Sequence, residues 1–195
     1  MNHLAHCFLS FNDEDVLLGN FIGDFVKGSD WQKYPKEVQK GILLHRRIDS
    51  FTDNHPMTDQ SVKRIRPFAG RYAPPFVDIL YDHLLALKWD MYSSLGFDQF
   101  AEKTYEQLQR RVSEMPAPLN ERLPLMLKGR FLHGYQQREG LEWVLQRFSN
   151  RLPGQFDASA LGAFFFDEIV HFSADFDAFF PDLLHEVQTF QIPAP

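Results

Sequence analysis

The chain of 195 residues has an ordinary globular composition, with 44% hydrophobic and 24% charged residues, and is long enough to bury one substantial core. Its formal net charge of −6 argues against a generic nucleic-acid-binding protein. The single cysteine, Cys7, excludes an internal disulfide, and neither a signal-peptide pattern nor a membrane-length apolar run is present. We therefore expect one domain over residues 1–195 of a soluble cytoplasmic protein, with no membrane partner.

Helical periodicity dominates the chain, and it predicts an all-α domain of roughly seven or eight helices with no convincing strand pattern. The predicted helices cover residues 16–27, 35–56, 57–68, 76–92, 97–114, 119–135, 139–148 and 158–190. Turns are predicted at residues 70–75, 115–118 and 151–155. We expect Pro181 to kink or restart the last helix, whose phenylalanine stripe indicates core packing.

The first predicted helix contains two glycines and one acid among apolar residues. Gly19 and Gly23 each cost a helix about 1 kcal/mol, but they also let another backbone approach closely. Asp24 lies in the same apolar setting, where an unpaired carboxylate is costly. Capping and ion pairing are the commoner explanations of such an acid, and metal ligation is the alternative.

The helix predicted between Pro35 and Pro56 carries the clearest chemical pattern. His45 and Asp49 are four residues apart, so their side chains share one helix face with Cβ atoms about 5–6 Å apart. Asp53 follows one further step along that face. An imidazole with carboxylates is a metal-ligand arrangement, and an oxygen-rich set favours Mg²⁺ or Mn²⁺ over Zn²⁺.

A structural explanation of this helix stays open beside the metal. Arg46 and Arg47 are able to pair with the acids, and His45 is able to hydrogen-bond inside a core. A metal would need ligands from elsewhere in the chain. Candidate acids and histidines in the first half are His6, Asp24, His45, Asp49, Asp53, Asp82 and His83. Because a glycine-rich phosphate loop and a serine nucleophile motif are both absent, metal-assisted hydrolysis remains the favoured chemistry.

Positive charge is concentrated in residues 36–71, where eight Lys and Arg residues stand against four acids, a balance of +4 that leaves −10 for the rest. A basic region on an acidic protein is a candidate docking surface for an acidic partner. The alternative for any one of these side chains is a solvated helix face.

Four segments, residues 1–6, 19–28, 45–53 and 81–85, resemble those of the acyl carrier protein phosphodiesterases. The similarity follows the chain in order and is most specific in its first half. It implies an all-α fold distantly related to the HD-domain phosphohydrolases. It also implies removal of 4′-phosphopantetheine from the serine of holo acyl carrier protein, with Mn²⁺ or Mg²⁺ as cofactor.

The resemblance also implies site residues, although Asp82 and His83 stand in reversed order relative to the usual HD pair. The implied catalytic residues are Asp24, His45, Arg46, Asp49, Asp82 and His83. The implied metal ligands are His6, Asp24, His45, Asp49 and Asp82. Two other hypotheses remain, a hydrolase of a small phosphoester or nucleotide and a non-catalytic helical protein that binds an acidic partner.

Overall fold

A computed structural model describes residues 1–151 and 156–190, and throughout these ranges the protein is helical without a strand, which confirms the predicted fold class. Short 3-10 turns connect several of the α-helices. In chain order the α-helices are α1 (His3–Phe8), α2 (Glu14–Ile22), α3 (Lys36–Asn54), α4 (Pro56–Ala69), α5 (Ala73–Leu87), α6 (Trp89–Tyr92), α7 (Phe97–Arg110), α8 (Leu119–Lys128), α9 (Arg138–Arg151), α10 (Ala158–Asp167) and α11 (Ile169–Thr189).

Eleven α-helices within the described residues exceed the predicted number, and the reasons are local. Helix α1 was not predicted, and two predicted helices divide at Lys88 and at Glu168. The helix predicted over 119–135 ends at Lys128. Helix α11 continues through Pro181, so the expected restart there is wrong. Most of the turn predicted at 151–155 lies outside the described residues.

Phenylalanine side chains fill the core, as the sequence pattern predicted. Phe165 on α10 and Phe172, Phe176 and Phe179 on α11 have no exposed surface. The rings of Phe176 and Tyr81 meet edge to face with centroids 5.5 Å apart, which joins α11 to α5. None of the helices in the described ranges is both long and apolar enough to cross a bilayer.

Helices α2 and α3 touch backbone to backbone at two glycines. A Cβ added to Gly19 would lie 2.1 Å from the carbonyl oxygen of Val38 and 2.8 Å from the Cα of Gly41. A Cβ on Gly41 would in turn lie 2.2 Å from the carbonyl oxygen of Val16. This contact confirms the predicted close approach and brings the polar residues of α2 and α3 together.

Candidate metal centre

Three side chains from two helices form a compact group in the described part of the protein. His6 comes from α1, and His45 and Asp49 come from successive turns of α3. One potential ligand atom from each lies within 4.8 Å of the others. The Nε2 atom of His6 is 3.1 Å from Asp49 Oδ1, and that of His45 is 3.0 Å from Asp49 Oδ2.

Asp24 stands at the open side of this group. Its helix α2 ends in a 3-10 turn, Gly23–Phe25, and the exposed carboxylate lies 3.3 Å from His45 Nε2. The ring of His45 packs directly on the turn, because a Cβ on Gly23 would lie 2.2 Å from its Cγ atom. The structure therefore brings Asp24, His6, His45 and Asp49 together.

Both histidines point their other ring nitrogen at the same residue, Asn20 on α2. His6 Nδ1 lies 2.7 Å from the side-chain oxygen of Asn20, and His45 Nδ1 lies 2.8 Å from its backbone oxygen. A carbonyl oxygen only accepts hydrogen bonds, so each Nδ1 carries the proton. In a neutral ring the Nε2 lone pair then faces Asp49.

The charges in the group are uneven. Burial lowers the pKa of His45, but hydrogen bonds from its ring to Asp24 and Asp49 outweigh burial and raise that pKa to about 9. Burial also lowers the pKa of His6, and here it dominates. Burial opposes ionisation of Asp49, yet contacts led by the hydrogen bond from His45 outweigh burial and hold the pKa of Asp49 well below the usual range.

A divalent cation fits this donor set. Neutral His6 directs the Nε2 lone pair at the ionised carboxylate of Asp49 from 3.1 Å with no proton between them, and two acceptors this close repel one another. A cation on that side turns the repulsion into ligation by both atoms. The set is richer in nitrogen than predicted, and imidazole ligands suit transition metals such as Zn²⁺ and Fe²⁺ better than Mg²⁺.

A cavity of about 300 Å³ opens beside the group and is strongly acidic. Asp53, predicted on the same face of α3, lies on its wall. The lining residues are Met1, Asn2, Asp24, Asp49, Asp53, Pro75, Asp78, Ile79 and Phe148. The Met1 amino group is used by Asp78, whose oxygen lies 2.8 Å away. A phosphate group entering this cavity would meet like charge unless a cation neutralised it.

Asp82, predicted as a ligand, lies outside the group and caps α1 instead. Its carboxylate accepts backbone N–H bonds from Asn2, Leu4 and Ala5 at 3.2, 2.6 and 3.3 Å. Burial raises its pKa to about 7, although these N–H groups oppose the shift. Both oxygens thus accept hydrogen bonds from the helix that carries His6, and Asp82 lies outside the group of His6, His45 and Asp49.

His83 and Arg46 also have other partners. His83 Nδ1 donates to the backbone oxygen of Tyr135 at 2.7 Å, away from the group. Arg46 donates to the carbonyl oxygens of Val26 and Gly28, both at 3.0 Å, and so braces the loop that follows Asp24. The neighbouring Arg47 pairs with a glutamate of α11, so the carboxylate of Asp49 faces two histidines rather than these arginines.

Sequence comparison with known proteins identifies the family of this chain. The model of the family "Acyl carrier protein phosphodiesterase" matches residues 1–183. Proteins with that name from Yersinia pestis and Photorhabdus laumondii are 30% and 33% identical, over 98% and 92% of this chain and 100% and 89% of their own. One from Enterobacter sp. is 32% identical over 78% of this chain and 80% of its own. No solved structure matches. The chain belongs to the acyl carrier protein phosphodiesterase family.

Proposed function

We propose that this protein hydrolyses the phosphodiester between 4′-phosphopantetheine and the serine of holo acyl carrier protein, using a divalent metal held by His6, His45 and Asp49. The family supports the substrate and the reaction. The observation that carries the metal site is His6 Nε2 facing the Asp49 carboxylate at 3.1 Å while the Nδ1 atom of the same ring faces the side-chain oxygen of Asn20. A metal is the group that turns this repulsive contact into two bonds.

Mn²⁺ is the cofactor that we propose over Mg²⁺. Two imidazoles and one carboxylate are a mixed nitrogen and oxygen set, whereas Mg²⁺ prefers oxygen ligands and retains its waters. When bound, such a metal polarises a phosphoryl oxygen and lowers the pKa of a bound water. We therefore expect higher activity with Mn²⁺ than with Mg²⁺ at equal concentration.

In the proposed reaction the residues of the site have separate roles in metal binding, positioning and proton transfer. His6, His45 and Asp49 hold the metal, while Asn20 and Asp82 hold the histidines and α1 in place. Asp24 is exposed at the edge of the group. The hydrogen bond with His45 lowers the pKa of Asp24, so its carboxylate is ionised at neutral pH. In this proposal Asp24 orients the attacking water and accepts its proton.

In this proposal the acyl carrier protein is the partner. Fewer basic side chains are free to bind its acidic surface than the sequence alone indicated. Within residues 36–71, Arg64 pairs with buried Asp175, and Arg47 pairs with Glu186, both on α11. Lys63 pairs with Asp59 of its own helix. These bases are partly neutralised, so we propose that docking depends on the bases that flank Asp24, namely exposed Lys27 and half-buried Arg46.

A comparison of two substrates tests the proposed specificity. The purified protein with Mn²⁺ is given holo acyl carrier protein or bis(p-nitrophenyl) phosphate, and released phosphopantetheine or nitrophenol is measured. We expect a higher kcat/KM for the carrier protein because docking contributes only to that substrate. Cleavage of the small diester alone would instead favour a hydrolase of small phosphoesters, and cleavage of neither would favour a non-catalytic binding protein.

A further inference from the structure

A single buried amide contacts both candidate metal-binding histidines. Asn20 lies on α2, has no exposed surface and is not one of the expected ligands. Its side-chain oxygen accepts from His6 Nδ1 at 2.7 Å, while its backbone oxygen accepts from His45 Nδ1 at 2.8 Å. The two imidazole rings belong to different helices, yet they stack with centroids 4.1 Å apart and planes inclined by 21°.

The orientation of the Asn20 amide is fixed by its other contacts. Its Nδ2 atom donates to the backbone oxygen of His6 at 2.8 Å and to Ser10 Oγ at 3.1 Å. Ser10 uses its own proton on that same His6 oxygen at 2.8 Å, so its Oγ is available as an acceptor. A flipped amide would bring its oxygen against the His6 carbonyl oxygen, two acceptors in contact. The side-chain oxygen therefore faces the His6 ring.

We propose that Asn20 is the positioning residue of the metal centre: it keeps a proton on Nδ1 of both histidines, so that Nε2 is the nitrogen left to bind the metal. This inference rests on the proposed function for its consequence, but the two hydrogen bonds from the Nδ1 atoms to Asn20 exist without metal. If Nδ1 of His6 lost its acceptor, the proton would move to Nε2 in part of the molecules, where it faces Asp49. Nε2 would then be unable to ligate.

A substitution of Asn20 changes its side-chain contact with His6 but keeps its backbone contact with His45, so His45 serves as the reference within each variant. Asn20→Ala removes the acceptor for His6 and retains the backbone acceptor for His45. Asn20→Asp keeps an oxygen beside His6 Nδ1 and loses the amide donors. Ser10→Ala is the matched control, because Ser10 Oγ contacts the same amide without touching either ring.

Two measurements on metal-free and Mn²⁺-titrated protein decide the proposal. Nitrogen-15 NMR reports the tautomer of each histidine, and calorimetry gives the Mn²⁺ dissociation constant. We expect protons on both Nδ1 atoms in the wild type and in Asn20→Asp. In Asn20→Ala we expect a shift of the proton for His6 only. Since removing a hydrogen-bond partner of a metal-binding histidine typically costs about 10–100-fold in metal affinity, we expect a loss in that range for Asn20→Ala and under about threefold for Ser10→Ala.

The results that would rule out the role of Asn20 differ from those that would rule out metal binding. A proton on Nε2 of His6 in the wild-type protein would overturn the role of Asn20 even if no variant folded. An Asn20→Ala variant with unchanged tautomers and Mn²⁺ affinity would overturn it too. If the wild type showed the Nδ1 tautomers but bound no Mn²⁺, the proposed metal function would fail while the positioning of the histidines by Asn20 stood.

Discussion

Asp49 joins the two histidines of the candidate centre, because each of its oxygens faces one imidazole. Replacing it with asparagine keeps its size and removes its charge. We expect Asp49→Asn to lower Mn²⁺ affinity by at least about 100-fold and to lower kcat/KM for holo acyl carrier protein to a similar extent. Calorimetry and a phosphopantetheine-release assay measure the two effects.

Glu37→Gln is the matched control for this change, because it removes one carboxylate charge from an exposed position in the first turn of the same helix. We expect that variant to bind Mn²⁺ and to turn over as the wild type does. If Asp49→Asn bound Mn²⁺ with the affinity of the control, Asp49 would not be a ligand.

His3 makes the stability of the protein depend on pH. The ring contacts Phe21 and Phe131, and burial lowers its pKa to about 4 from an unfolded-state value of 6.5. Between these values the unfolded chain binds more protons, so stability falls as the pH falls from 6.5 to 4. One pKa unit corresponds to about 1.4 kcal/mol, and the effect is reduced because His3 is only half-buried, so we expect this residue to cost on the order of 2 kcal/mol.

Urea unfolding of the wild type and of His3→Phe at pH 6.5 and pH 4.5 measures that contribution. The variant is the control for every other titrating group, and we expect its stability to fall less between the two pH values. Equal falls in both proteins would mean that His3 has the same pKa folded and unfolded.

Single residues of the site were predictable where spacing defines geometry. The interval of four between His45 and Asp49 fixes a shared face, so their proximity followed from the sequence. Asp82 caps α1 in the structure, an outcome that spacing did not distinguish, because an acid among apolar residues is equally consistent with a ligand and with a helix cap. Asn20 was overlooked as a site residue because an amide resembles no metal ligand, and its function depends on contacts between three helices.

Helices α2 and α3 form the element pair on which the site depends. Gly41→Ala would place a Cβ 2.2 Å from the backbone oxygen of Val16, and the backbone has little room to yield. We expect a loss of about 3 kcal/mol in the free energy of unfolding, with weaker Mn²⁺ binding as the helices separate. Denaturant titration measures the loss in free energy.

Gly96→Ala is the control for that change, because a Cβ at Gly96 meets nothing within 4 Å and its φ of −58° suits alanine. We expect this control to be neutral or slightly stabilising. Similar losses in the two variants would show that the close approach of α2 and α3 does not limit stability.

Elements were predictable to the extent that they carry a long apolar stripe. Helix α3 lies where its proline boundaries and periodicity predicted. Helix α1 was not predicted because its six residues are too few for a periodic pattern, and its N-terminus is stabilised by Asp82 from α5, distant in sequence. The break at Glu168 was likewise not predicted, because the phenylalanine pattern continues on both sides of it.

The number of free positive charges on the surface depends on ion pairs between helices that are distant in sequence. Residues 36–71 are basic in sequence, but α11 supplies acids to two of their arginines, so these two charges are partly neutralised in the folded protein. An Arg64→Glu change would place a carboxylate against buried Asp175 and destabilise the fold, which makes Arg64 unsuitable for a docking test.

Lys27 provides that docking test instead, because it is exposed beside Asp24. We expect Lys27→Glu to raise the KM for holo acyl carrier protein roughly fivefold at low salt and to change kcat little, since steering acts on encounter. The KM for bis(p-nitrophenyl) phosphate should stay constant. Lys103→Glu, an equal charge change on α7, is the control, and an equal rise in KM for both variants would exclude a local docking site.

We propose that release of phosphopantetheine requires a metal bound by His6, His45 and Asp49. To test this requirement, holo acyl carrier protein is incubated with chelator-treated protein, with and without added Mn²⁺, and the products are identified by mass spectrometry. We predict conversion to the apo form only when Mn²⁺ is restored, and none with Asp49→Asn. Full conversion in the continued presence of chelator, or by Asp49→Asn, would show that release does not require a metal at this site.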